Sequence, residues 1–168
     1  MHSSSGGVFS ILAEQTIKQG GVVFGARFDE NWEVKHDYTE TIDGVSVFRG
    51  SKYVQSKTGD TFKQAEQFLK QNRKVLFSGT PCQIVALKRY LKKEYENLLL
   101  VDFICHGVPS PGVWRKYLKQ VIALTCDKNT VSSHLKLLLS ERNALVEGIS
   151  FRDKRLGWQK YSFSLTLS

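Results

Sequence analysis

The sequence predicts an α/β domain with a mixed sheet and helices packed on it. The clearest observation is one βαβ crossover over residues 74–104, where two short apolar segments flank a helical segment. Connections of this kind join parallel strands. A hairpin pattern over residues 22–38 adds a pair of strands ahead of the crossover. Hydrophobic residues make up 41% of the 168 residues and charged residues 24%, which is typical of a globular chain.

The part of the chain before the crossover predicts four elements. Apolar residues recur there at helical spacing in two segments and follow strand patterns in two others. The predicted elements are a helix from Ser5 to Lys18 or Gln19, strands over residues 22–28 and 32–38, and a helix over residues 61–71.

The crossover itself has a strand over residues 74–78, a helix over residues 83–91 and a second strand over residues 98–104. A further helix is predicted from Gly112 to Leu124. In such sheets, ligands bind outside the carboxyl ends of the strands. The loops 79–83 and 105–111 follow the two strands, so we expect both loops, with Cys82, Cys105 and His106, at one edge of the sheet.

The rest of the chain predicts strands over residues 146–151 and 161–167, joined by a turn over residues 152–157. The chain ends within the second strand pattern, at Ser168. We therefore expect a piece of a longer protein.

Charge and cysteine content narrow the class of protein. The net charge is +8, of which residues 85–168 carry +7, so this half attracts anions or presents a solvated basic surface. The three cysteines, Cys82, Cys105 and Cys126, are odd in number and widely spaced, which argues against a disulfide framework and favours the reducing cytoplasm. No apolar run approaches the roughly 20 residues that a membrane span needs.

Two loops contain residues that can do chemistry. Cys82 stands at a helix start, where unpaired N–H groups and the helix dipole favour a thiolate or a bound anion. A structural cysteine, a metal or cluster ligand and a nucleophile all remain open for it. Cys105 ends a buried strand and is either a core residue or a ligand, and His106 beside it can donate to a cofactor carbonyl or phosphate.

Three further segments combine polar groups with glycine or aromatic rings. Ser3-Ser4-Ser5-Gly6-Gly7 at a helix start is either an ordinary cap or a contact site for an anion or a heteroaromatic ring. In residues 51–56, alternation places Lys52, Val54 and Ser56 on one face. Residues 151–158 form a basic and aromatic turn that suits phosphate, nucleic acid or plain solvent.

Taken together and in this order, five motifs resemble one family. The motifs are SSSGGVFS (3–10), GSKYVQS (50–56), LFSGTPCQ (76–83), VDFICHGVPSP (101–111) and FRDKRLGW (151–158). The chain resembles the coenzyme F-420 hydrogenase/dehydrogenase beta-subunit family over essentially its whole length. The resemblance implies one FAD-binding oxidoreductase domain over residues 1–168, truncated at both ends. Its activity would be electron and hydride transfer between iron–sulfur centres and the deazaflavin coenzyme F-420 or a similar small acceptor.

The resemblance also assigns residues. Lys52 and His106 are the predicted catalytic residues, and Cys82 and Cys105 the predicted ligands of a 4Fe-4S cluster. That ligand set is incomplete, since such a cluster normally takes four cysteines. The predicted FAD-binding residues are Ser4, Ser5, Gly6, Gly7, Lys52, Tyr53, Gln55, Ser56, Gly79, Thr80, Pro81 and Gln83.

The implied partners are a redox subunit or a ferredoxin-like domain, and the implied compartment is the cytoplasm. Two alternatives belong to other classes. One is a thiol enzyme in which His106 acts as the base for Cys82. The other is a non-catalytic domain that binds anions or nucleic acid through its charge, although nucleic acid is the less favoured partner.

Overall fold

The computed structural model describes residues 7–125, 152–153 and 157–158. The described residues divide into two compact units, one ending at Val108 and one starting at Pro109. Each unit has its own secondary structure. The first contains the sheet, the loop 79–83 and the start of the loop 105–111.

Eight elements make up the first unit. In chain order they are α1 (Val8–Lys18), β1 (Val22–Phe28), β2 (Val34–Thr39), a 3-10 helix (Asp43–Phe48), α2 (Thr61–Lys70), β3 (Val75–Gly79), α3 (Pro81–Leu91) and β4 (Leu98–Asp102).

The sheet has four strands in the order β2-β1-β3-β4. β1 pairs antiparallel with β2 and parallel with β3, and β3 pairs parallel with β4. The predicted mixed sheet and the predicted βαβ crossover are therefore confirmed. β3 is a central strand with neighbours on both sides. Its carboxyl end therefore lies in the middle of the end of the sheet at which ligands bind in such folds.

The two faces of the sheet carry separate apolar clusters. Phe24 and Phe77 belong to the cluster that includes residues of α2 and α3, whereas Val23 and Leu76 belong to the cluster that includes residues of α1 and the 3-10 helix. Successive strand residues point to opposite faces, so β1 and β3 feed both clusters alternately. This burial on both faces explains why their sequences read as continuous apolar runs rather than alternating patterns.

Several boundaries differ from the sequence prediction, among them the end of β4, which lies at Asp102 rather than at residue 104, and the starts of two helices. α3 begins at Pro81 rather than at Gln83, because proline at the first helical position has a suitable φ and needs no N–H partner. α1 begins at Val8, preceded by Gly7 with φ +77°, a conformation that glycine adopts without strain. The 3-10 helix was not predicted.

In the second unit, the structure describes α4 (Pro111–Thr125) and a short antiparallel pair. The pair joins β5 (Arg152–Asp153) to β6 (Gly157–Trp158), so the paired strands extend into the range predicted as a turn. The predicted strands over residues 146–151 and 161–167 both lie outside the described residues. No helix among the described residues is long and apolar enough to cross a membrane.

Candidate functional site

The carboxyl end of β3 turns directly into α3 through Thr80. Thr80 is the N-cap residue with extended backbone, and its N–H donates to Oε1 of Gln83 at 3.0 Å. A side chain at the third helical position that reaches back to the cap residue is half of a capping box. The contact fixes the Gln83 amide over the loop that carries Gly79 and Thr80.

A chain of hydrogen bonds continues from Gln83 to two residues far away in sequence. Nε2 of Gln83 donates to Oγ of Ser56 at 2.9 Å, and Oγ of Ser56 lies 2.9 Å from Nδ1 of His36. Nε2 of His36 lies 2.9 Å from the carbonyl oxygen of Ser78. The chain starts at Thr80 and ends at Ser78, so it closes around Gly79. We call Ser78, His36, Ser56, Gln83 and Thr80 the polar ring.

The donor and acceptor of every bond in the polar ring follow from its two ends. The Thr80 N–H can only donate, so Gln83 meets it with its oxygen and turns its NH₂ group to Ser56. The Ser78 carbonyl can only accept, so Nε2 of His36 carries the proton. In the neutral ring Nδ1 is then an acceptor, and the Ser56 hydroxyl donates to it.

Gly79 is buried at the centre of the polar ring. A Cβ at this position would lie 3.1 Å from Oε1 of Gln83 and 3.5 Å from Nε2 of His36. The closer distance is tighter than an ordinary van der Waals contact. Glycine is therefore needed at position 79 because the side chains of the ring pass close to the backbone.

His36 is held by packing as well as by hydrogen bonds. Its side chain is nearly buried, and its ring stacks on Phe77 with centroids 5.3 Å apart and planes at 8°. Burial is the main influence on its pKa and lowers it, and the bond to the Ser78 carbonyl acts in the opposite direction. The neutral imidazole is therefore the favoured form at neutral pH.

The two candidate cysteine ligands follow adjacent parallel strands. Cys82 is exposed in the first turn of α3, after β3, and its Sγ lies 3.0 Å from Oγ1 of Thr80. Cys105 is half-buried in the loop after β4, next to the exposed His106. Within the described part of the chain, no group of three or more histidine, cysteine or carboxylate side chains is placed to hold a metal. Cys126 lies outside the described residues.

Lys52 does not share a face with Ser56, because residues 51–56 form no strand. Its Nζ donates to the carbonyl oxygens of Arg49 at 2.8 Å and Val47 at 3.2 Å, at the end of the 3-10 helix. Burial lowers the pKa of Lys52 to about 8. The predicted alternation over this segment is wrong, and Lys52 and Ser56 have separate hydrogen-bond partners.

The lowered pKa of Lys52 gives a measurable pH dependence. The folded state holds this proton less tightly than the unfolded chain, so the free energy of unfolding should rise with pH between about 8 and 10.5. In the protein with dimethylated lysines, we expect one ¹³C-methyl resonance to titrate near pH 8, and to be missing from Lys52→Met. A Lys63→Met control, at an exposed position of α2, should retain it. A methyl signal of Lys52 that titrates with the other lysines would contradict the burial argument.

The remaining predicted site residues lie outside the polar ring or outside the described part of the chain. Gly7 precedes α1, whereas Ser4, Ser5 and Gly6 lie outside the described residues. Tyr53 is half-buried, and Gln55 and Pro81 are exposed. Thus the structure brings together Ser56, Gly79, Thr80 and Gln83 from the predicted set.

His36 and Ser78 belong to the site but were missed by sequence reasoning. Ser78 lies in the LFSGTPCQ motif, but its contribution is a backbone carbonyl, which no residue type signals. His36 lies 20 residues before Ser56 in a strand pattern where Val34, His36 and Tyr38 alternate with polar residues. The available signal was a histidine on the apolar face of a strand, where a buried imidazole needs polar partners.

A cleft lies at the opposite end of the parallel strands from the polar ring. This cleft of about 280 Å³ is lined by residues that include Thr16, Gln19, Lys74 and Asn97. Several of its polar groups are bonded to the protein itself: Lys74 donates to Gln19, Thr16 to the backbone of α1, and Asn97 to two backbone carbonyls. The polar ring is the better candidate for ligand chemistry because it lies at the carboxyl ends of the strands, where parallel α/β sheets bind their ligands.

Comparison with known proteins finds a family that part of the chain resembles. A family model for subunits of hydrogenases and dehydrogenases matches residues 72–134. Its description is coenzyme F-420 hydrogenase/dehydrogenase, beta subunit, C terminus. The family resemblance that the motifs predict is therefore confirmed for this segment, which contains β3, α3, β4 and both loops at their carboxyl ends.

A solved structure shows a similar fold. It is the coenzyme F-420-reducing nickel–iron hydrogenase complex from Methanosarcina barkeri, which matches with a TM-score of 0.53 and 17% sequence identity. The match covers 77% of this chain and 46% of that hydrogenase chain, so the present chain spans less than half of the relative. No curated protein matches the chain.

The described residues differ in how well they fit the two cofactors that the family resemblance implies. The polar ring and Lys52 supply hydroxyl, amide and amine groups, which suit the heteroatoms and phosphates of a flavin nucleotide. A 4Fe-4S cluster takes four thiolates, and the whole chain has three cysteines. The residues present therefore fit a flavin and do not by themselves complete a cluster.

Proposed function

We propose that this chain binds FAD at the carboxyl end of β3 and serves electron and hydride transfer in an oxidoreductase of the coenzyme F-420 hydrogenase/dehydrogenase type. The observation that carries the proposal is the polar ring, which joins Ser56 to Gly79, Thr80 and Gln83. These residues come from two separate motifs of the sequence. They meet where parallel α/β sheets bind their ligands.

The electrostatics of the loop support a phosphate-bearing cofactor. Thr80 caps α3, which begins at Pro81. The amino end of a helix favours negative charge. Lys52 can supply a cation or, after losing its proton, a donor and acceptor. The second half of the chain adds a net charge of +7, which also suits the polyglutamate tail of a deazaflavin.

Bound FAD would supply the redox chemistry, by accepting a hydride and releasing electrons singly. The chain's own residues would do the rest. Gln83 and Ser56 would hydrogen-bond and orient the cofactor, and Gly79 would permit close approach to the backbone. Lys52 would tune the flavin electrostatically, and His106 would donate to the cofactor from the loop after β4.

The partners follow from the same proposal. Cys82 and Cys105 would contribute to an iron–sulfur site that a redox subunit or a ferredoxin-like domain completes, in the cytoplasm. The small acceptor would be coenzyme F-420 or a related deazaflavin. The hydrogenase neighbour, which is a multi-subunit complex that reduces this coenzyme, supports the choice.

An absorbance spectrum of the protein purified without oxygen tests the proposal. We expect the bands of oxidised flavin, and FAD after acid release, or else uptake of added FAD by the colourless protein. Gln83→Ala should weaken FAD binding by about fivefold, since a lost hydrogen bond is worth about 1 kcal/mol. Lys88→Ala, at an exposed position of the same helix, is the control. A folded, colourless protein that takes up no FAD would overturn the proposal.

The two other classes of function predict different results. A thiol enzyme would be colourless and would lose its activity when Cys82 is alkylated. A charge-driven binder would show steeply salt-dependent binding to random DNA. The described partner of the Cys82 sulfur is the Thr80 hydroxyl, and this contact does not itself supply a general base.

A further inference from the structure

His36 is the residue of the polar ring that can gain a proton at an atom through which it contacts the ring, namely Nδ1. His36 joins the Ser56 hydroxyl on one side to the Ser78 carbonyl on the other, at 2.9 Å in each case. None of the functions assigned above uses it. The ring geometry nevertheless gives it control over Ser56, because a serine hydroxyl has a single proton to donate.

We propose that His36 is a positioning residue that decides which hydrogen-bonding role Ser56 offers to the flavin nucleotide, and that proton uptake at Nδ1 reverses this role. The inference rests on the proposed function for the identity of the ligand. It names the regulation of that site, which is a coupling between flavin binding and one proton.

With neutral His36, the only proton of the Ser56 hydroxyl is used on Nδ1. One lone pair of Oγ accepts from Gln83. A ligand therefore meets Ser56 as an acceptor only, and a ligand oxygen without a proton is disfavoured there.

With protonated His36, Nδ1 becomes a donor. Oγ of Ser56 then accepts from Nδ1 and from Nε2 of Gln83, and both of its lone pairs are occupied. Its proton is released and can be donated to a ligand. The bond from Nε2 of His36 to the Ser78 carbonyl stays as it was, so the ring remains closed.

The charged groups near His36 point to the other face of the sheet or pair with other residues, so none of them is placed to replace His36 as the partner of Ser56. Lys35 and Asp37 precede and follow His36 on β2 and so point to the other face, where Asp37 also pairs with Arg27 of β1. Lys57 pairs with Glu33. β3 carries no titratable side chain, Glu66 of α2 pairs with Lys70, and Cys82 of α3 contacts Thr80.

The direction of the coupling follows from the ligand. The phosphates and the ring carbonyls of FAD present oxygen acceptors, and both need a donor at Ser56. A negative ligand also offsets the cost of a buried imidazolium. FAD should therefore bind with proton uptake by His36 and bind more tightly as the pH falls, by at most tenfold per pH unit.

The first experiment needs no ligand. ¹⁵N NMR of the histidine side chains should show His36 with the proton on Nε2 at pH 7.5. Ser56→Ala should lower the titration midpoint of His36, because the charge-assisted bond that protonated Nδ1 donates to Oγ is stronger than the bond that neutral Nδ1 accepts. A proton on Nδ1, or a midpoint that Ser56→Ala leaves unchanged, would overturn the inference.

The second experiment measures the FAD dissociation constant at about pH 5.5 and pH 7.5 in matched variants that cannot titrate. His36→Asn keeps an acceptor near the Nδ1 position, and His36→Gln keeps a donor near the Nε2 position. We expect binding at least threefold tighter at the lower pH for the wild type and no change for either variant. A slope that persists in both variants would overturn the coupling.

Two further outcomes separate the possibilities. Riboflavin in place of FAD keeps the pH slope if a ring carbonyl meets Ser56 and loses it if a phosphate does. Failure of FAD to bind at any pH would sink the proposed function together with the coupling to it. The NMR experiment would still decide whether His36 directs the Ser56 hydroxyl.

Discussion

Replacing Phe77 by alanine is expected to lower the free energy of unfolding by about 3–5 kcal/mol, the usual cost of deleting a buried aromatic ring. Phe77 is fully buried in β3. Its ring stacks on Phe24 at 5.4 Å, contacts Phe62 at 5.8 Å and supports His36 at 5.3 Å. Its removal leaves a cavity beside the central strand. The cavity cannot close easily, because β3 is held by hydrogen bonds to β1 and β4 on its two sides.

Urea unfolding followed by circular dichroism measures this loss. Val85→Ala, at an exposed position of α3, is the control and should change stability by less than about 0.5 kcal/mol. Phe77→Leu should cost less than Phe77→Ala, because it keeps most of the buried volume. A loss of under about 1 kcal/mol for Phe77→Ala would contradict the expectation that this ring contributes strongly to the stability of the core.

The crossover was predictable because its signals are local. β3 and β4 are short apolar segments, and the helix between them has its own start signal at Thr80 and Pro81. Chain length then forces a parallel connection. The order of the strands was harder to predict from the sequence. The position of β1 beside β3 depends on the burial of both faces of the sheet, which involves contacts between distant parts of the chain.

The candidate site was predictable in part for the same reason. Gly79, Thr80 and Gln83 follow a strand directly, so the carboxyl-end rule locates them. Ser56 was assigned by family resemblance, and its contact with Gln83 spans 27 residues. His36 had no local signal beyond its place on the buried face of β2, because its partners come from β3 and from the segment before α2.

Lys52 shows where a periodic pattern misleads. Residues 51–56 alternate as a strand would, but the segment meets the edge strand β2 only in a single bridge between Lys57 and Lys35, and residues 51–56 form no strand in the described sheet. Gly50, with φ +80°, turns the chain after the 3-10 helix. The lysine then caps the carbonyl oxygens of that helix, which have no partner further along it.

Replacing Gly79 by valine is expected to abolish FAD binding, with at least a tenfold loss of affinity. A Cβ alone would approach Oε1 of Gln83 to 3.1 Å, and the two methyl groups of valine fill the centre of the polar ring. Gln83 must then give up its bond to Thr80 or to Ser56. The fold should lose about 1–3 kcal/mol, which is typical of overpacking.

Equilibrium titration with FAD measures the effect, and Gly112→Ala provides a control because its nearest new contact is an ordinary 3.7 Å. Gly79→Ala separates crowding from loss of fold. Its cost in affinity should shrink when Gln83 is also replaced by alanine, since the crowded oxygen is then gone, and such non-additivity marks two residues in contact. Additive costs in the double variant would mean that position 79 acts through the backbone of β3 and not through the polar ring.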